Sequence, residues 1–136
     1  MKGPKVVWKM SFPNSGTSYT GKLIKNLSNY TSATTYGKEG RVDENGYSIP
    51  LREDSPGGPF LSNFIGNGVP EYVLTKTHCG GRCFKCGPDK YIETQMSFER
   101  ACRTGSKIEA DGKKARARYG TDIVQRALHV VRDPFD

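Results

Sequence analysis

A chain of 136 residues is long enough for one domain with a buried core, and its net charge of +7 favours a polyanionic partner: nucleotide, nucleic acid, or a sulfated or phosphorylated substrate. Hydrophobic residues make up only 35%, and sixteen Gly with eight Pro point to extensive loop. No apolar run approaches the ~18 residues of a membrane span and no secretory signal precedes Lys9, so the chain as written is expected to be soluble and to carry no membrane span.

In chain order, the β-branched and apolar run Val6, Val7, Trp8, Met10 and Phe12 predicts a buried strand. Pro13 breaks it, and Asn14, Ser15 and Gly16 make a turn. Thr17 and Ser18 are N-cap candidates for a helix whose apolar residues Tyr19, Leu23, Leu27 and Tyr30 recur at helical spacing. A strand, a hydroxyl-rich Gly turn and a helix N-terminus together form a phosphate-binding loop, because unpaired amides and the positive end of the helix dipole converge there.

Residues 31–59 hold many turn formers and few apolar side chains, and they predict an irregular excursion, with Asn45-Gly46 as a possible hairpin closure. Phe60 to Ile65 predicts a short helical turn. Glu71 to His78 predicts a second strand, followed by a Cys- and Gly-rich loop over 79–90. Tyr91 to Arg103 predicts a helix with Ile92, Met96, Phe98 and Ala101 turned inward. The strongly basic stretch 105–120 predicts an exposed face or loop, and because its charges form no single long block a nucleic-acid-binding tail is not expected. Ile123 to Val131 predicts a third strand, ending at Arg132-Asp133-Pro134. Strands alternating with helices argue for an α/β fold with a largely parallel sheet flanked by helices. Ligands of such sheets sit at the carboxyl ends of strands, so Asn14–Ser18, Thr75–His78 and Arg132–Asp133 are expected to share one rim.

Gly16-Thr-Ser-Tyr-Thr-Gly21-Lys22 satisfies part of a Walker A loop, but Leu23 stands where that loop needs Ser or Thr for magnesium. A nucleotide-binding kinase or NTPase is thus one alternative. A non-catalytic basic module that binds glycans or nucleic acid is another.

A different loop fits better. Ser11-Phe12-Pro13-Asn14-Ser15-Gly16-Thr17-Ser18 resembles the 5′-phosphosulfate loop of the sulfotransferases that use 3′-phosphoadenosine 5′-phosphosulfate (PAPS). Leu74-Thr75-Lys76-Thr77-His78 resembles the strand end that carries that family's catalytic base, and His129-Val130-Val131-Arg132-Asp133-Pro134 resembles its 3′-phosphate strand. The motifs occur in the family's order and span residues 6 to 136. The resemblance implies a P-loop-like sulfotransferase fold and transfer of a sulfuryl group from PAPS to a hydroxyl or amine acceptor, a carbohydrate or small molecule, with no metal and no nucleic acid required. It implies that Asn14, Ser15, Gly16, Thr17 and Ser18 grip the 5′-phosphosulfate. Arg132 would pair with the 3′-phosphate, where a planar fork suits a bidentate contact. His78 would take the acceptor's proton, a role that imidazole suits near neutral pH.

Two departures stand out. The family generally has Lys or Arg where this chain has Asn14, and Lys76 is the expected substitute cation. The family's further 3′-phosphate and acceptor segments would fall beyond Asp136, so the resemblance implies the N-terminal part of a sulfotransferase domain over 1–136 and leaves turnover by this chain alone open. The four cysteines, Cys79, Cys83, Cys86 and Cys102, suit disulfides, free thiols or a zinc site by spacing. Disulfides would favour a Golgi lumen over the cytoplasm. The sequons at Asn26 and Asn29 fall on the first expected helix and are read as chance.

Overall fold

The computed structural model describes residues 3–11, 16–28, 30–63, 70–79 and 94–131. It is an α/β fold built on a mostly parallel five-stranded sheet. The sheet comprises β1 (Lys5–Ser11), β2 (Ser32–Thr34), β3 (Phe60–Asn63), β4 (Tyr72–Thr77) and β7 (Val124–Val130), in the order β3-β2-β4-β1-β7. Only β3 runs antiparallel to its neighbour, β2. Helix α1 (Thr17–Ser28) follows β1, and α2 (Gln95–Cys102) leads into an antiparallel hairpin of β5 (Thr104–Ile108) and β6 (Lys114–Arg118).

Alternation along the strands sorts side chains onto two faces. One face of the sheet carries Val6, Trp8, Val73 and Ala33, all buried against Leu51, Cys102, Tyr119 and Ile123. Two polar side chains of this face are hydrogen-bonded across the core. The Trp8 indole donates to the Tyr119 hydroxyl at 2.8 Å, and the Thr77 hydroxyl donates to the Cys102 carbonyl at 2.6 Å. Burial raises the Tyr119 phenol above its ordinary pKa. The opposite face carries Lys9, Leu74 and Ser32 under α1.

Several expectations need correction. The stretch 31–59 is not irregular throughout. Ser32–Thr34 is β2, slotted between β3 and β4, and Gly37–Glu39 is a turn of 3-10 helix. Within it, Asn45-Gly46 does close a small antiparallel turn. Val42 bridges Ser48, the Asp43 carboxylate accepts from the Asn45 and Tyr47 amides, and Gly46 takes the positive φ (+83°) the turn requires. Phe60–Asn63 forms strand β3 rather than a helical turn, because β2 offers it a ladder that a single helical turn cannot match.

Of the two expectations for the basic stretch, an exposed face fits and a loop does not. Residues 104–118 hold the β5–β6 hairpin, in which Lys114, Arg116 and Arg118 point to solvent while Ala117 is buried. Helix α2 starts later than expected, behind a capping box between Thr94 and Ser97, and Met96 is exposed rather than inward. On helix α1 the apolar residues Tyr19, Leu23 and Leu27 are exposed, while Thr17, Gly21 and Ile24 face the sheet; Tyr30 lies beyond the helix end and is also exposed.

Candidate functional site

β1 is central, with parallel β4 and β7 on either side, and the register sets Met10 opposite Thr77 and Ser11 opposite Val130. The carboxyl ends of these three strands are therefore adjacent, at the rim where ligands of parallel sheets bind. α1 starts from the same rim. The Gly16 carbonyl accepts the first helical bond from the Thr20 amide at 2.9 Å, so Thr17 and Ser18 lie inside the first turn instead of capping it. Gly16 has φ +81°, a left-handed conformation that favours glycine. Thr17 is buried, and its hydroxyl is hydrogen-bonded to that of Ser11, tying the helix start to the strand end.

His78 directly follows β4. Its Nδ1 lies 2.9 Å from the Ser11 carbonyl oxygen, which can only accept, so Nδ1 carries a proton and, in the neutral ring, the lone pair falls on Nε2. The Tyr36 ring lies 5.9 Å from the imidazole, and the Tyr36 hydroxyl donates to the His78 carbonyl at 3.4 Å. The next residue, Cys79, is in a disulfide with Cys102 at the end of α2. The base candidate is thus fixed on three sides: by β1 through its ring, by Tyr36, and by a covalent tie just beyond it.

Lys76 shares the α1-facing side of the sheet with Lys9, its register partner on β1. The Lys76 ammonium donates to Glu39 Oε2 at 2.8 Å. Lys9 is only 7% exposed, and no described residue hydrogen-bonds or ion-pairs its ammonium. Burial, and next the charge of Lys76, hold its pKa below the ordinary lysine value. Reading the sequence missed Lys9, Tyr36 and the Cys79–Cys102 pairing. The available signal for Lys9 was a lysine in the middle of an otherwise apolar central strand.

Of the residues expected to form the site, Gly16, Thr17 and His78 come together at the rim, with Ser18 one step along α1 and Lys76 one step down β4. Asn14, Ser15 and Arg132 lie outside the described residues, as do Cys83 and Cys86. Among the described residues no group of three or more His, Cys, Asp or Glu is placed to hold a metal ion, and no helix is long and apolar enough to cross a membrane. Comparison of the chain with protein-family models, with curated proteins and with solved structures finds no match.

Proposed function

We propose that this chain is a PAPS-dependent sulfotransferase domain, with the strand rim as its transfer site. The observation that carries the reading is the adjacency of the β4, β1 and β7 ends, together with a histidine whose Nδ1–H is committed to the Ser11 carbonyl. That bond leaves Nε2 as the only ring atom able to accept a proton.

In this reading the amides and dipole at the start of α1 bind the phosphosulfate of the donor substrate. His78 Nε2 removes the proton of an acceptor hydroxyl or amine, the acceptor atom bonds to sulfur, and the sulfur–oxygen bond to the donor's phosphate breaks, releasing adenosine 3′,5′-bisphosphate. Arg132 is assigned to the 3′-phosphate by its motif. Lys76 is the proposed cation for the leaving oxygen, and the Glu39 carboxylate would hold it in place until then. The Walker alternative is less well supported. Thr17 to Gly21 are already helical, so the flexible loop that the Gly16–Lys22 pattern would need is not there.

The test is donor consumption with pooled carbohydrate and small-molecule hydroxyl and amine acceptors. His78→Ala is expected to lower turnover by about 10²–10⁴-fold, the usual worth of a general base, while melting and bisphosphate binding stay unchanged. Lys76→Ala is expected to lower turnover as well. Wild-type rates in His78→Ala would contradict the reading.

A further inference from the structure

Between α1 and the sheet lies a cleft of about 200 Å³, lined by Lys9, Ser18, Lys22, Lys25, Tyr30 and Ser32. On the same measure a single water needs only ~10–15 Å³, so a tetrahedral anion fits together with several waters. Ile24 and Leu74 make much of the wall apolar; the charged groups of the lining are all lysines, and no carboxylate is part of it.

Lys9 sits at the floor, 93% buried by residue, with its ammonium against Gly21 of α1. A side chain at Gly21 would occupy the place of that ammonium, so the glycine makes room for the lysine. Lys76, the register partner of Lys9, has Glu39 as its counter-charge, whereas Lys9 has none among the described residues. Buried charges are ordinarily paired, since removing an ion from water without a counter-charge is costly.

We infer that this cleft binds a tetrahedral oxyanion, sulfate or phosphate, with Lys9 as its central cation and Lys22 and Lys25 closing over it from α1. The anion enters either free or as the terminal ester group of a larger ligand. The inference rests on the cleft alone and does not depend on the proposed transfer reaction.

The test is thermal melting of the full chain in sodium sulfate or sodium phosphate against sodium chloride at equal ionic strength. A saturable rise in Tm is expected for the wild type. Sulfate strengthens burial in any protein, so the decisive comparison is with Lys9→Met, which keeps the apolar stem and removes the charge. In that variant the saturable part is expected to disappear. Lys22→Met combined with Lys25→Met, at exposed positions with little bearing on folding, is expected to weaken apparent affinity at least several-fold.

An undiminished sulfate response in either variant, or no saturable response in the wild type, overturns the inference. A parallel titration with adenosine 3′,5′-bisphosphate separates the sources of the anion. If Lys9→Met loses the sulfate response and keeps the bisphosphate response, the cleft takes a free anion. If it loses both, the cleft takes a phosphate of the nucleotide. A bisphosphate response without any sulfate response sinks this inference and leaves the proposed function standing; the converse does the opposite.

Discussion

A lysine in a central strand is desolvated on folding, and Lys9 has no described carboxylate to offset that. Its folded pKa lies below the unfolded value of 10.5, so the unfolded chain binds the extra proton between the two. Stability from this group is therefore lost as pH falls through the folded pKa, and it is fully present only above the unfolded one. Lys9→Met is expected to be more stable than the wild type at neutral pH in chloride by about 1 kcal/mol, the low end for a buried unpaired group because the cleft admits water. The gap should narrow as pH rises towards 10.5, which paired melting curves across that range would reveal. A variant less stable than the wild type at every pH would show that the ammonium has a partner. His78 differs from Lys9 in that its ring is anchored on Ser11, and so its geometry needs no ligand.

At the scale of elements, the β5–β6 hairpin lies backbone against backbone on its neighbours. A Cβ on Gly105 would run into the Thr35 carbonyl, and one on Gly57 into that of Arg118. Gly105→Ala is expected to destabilise the fold by at least about 2 kcal/mol, since backbone cannot yield as a flexible side chain does; denaturant titration measures it, and a loss below about 0.5 kcal/mol would mean that the hairpin docks loosely. The second tie is the Cys79–Cys102 disulfide, with a sequence separation of 23. Opening it by Cys79→Ala with Cys102→Ala is expected to cost about 3 kcal/mol in the chain-entropy account. Because Cys79 adjoins His78, the same variant is expected to lower turnover beyond what its loss of stability explains. Equal activity at a temperature where both proteins are folded would show that the bridge is structural only.

At the scale of the whole molecule, the long β-branched runs were legible in the sequence. Val6–Trp8, Tyr72–Leu74 and Val124–Val130 form parallel neighbours because each carries enough strand-forming side chains to define itself. Ser32-Ala-Thr34 carries no such signal, and it is a strand only because β3 and β4 pair with it from both sides. In Lys114-Ala-Arg-Ala-Arg118 the alternation was present, but charge masked it. The apolar spacing on α1 marked a helix but said nothing of its inner face, where the buried Lys9 requires small residues such as Gly21 above it. Of the candidate site, the rim and the histidine could be read from motif order. Side-chain pairings between distant residues, Lys76 with Glu39 and Cys79 with Cys102, depend on packing that no local pattern encodes.

The reading of the whole molecule turns on one ligand. Thermal melting of the purified chain with adenosine 3′,5′-bisphosphate, beside ATP with magnesium, tests it most directly. A saturable rise in Tm with the bisphosphate, needing no magnesium and absent from an Arg132→Ala variant, is the predicted result; at a hundredfold excess over Kd it corresponds to about 2.7 kcal/mol. A rise only with ATP and magnesium, or none with the bisphosphate from a chain that melts cooperatively, would contradict the account.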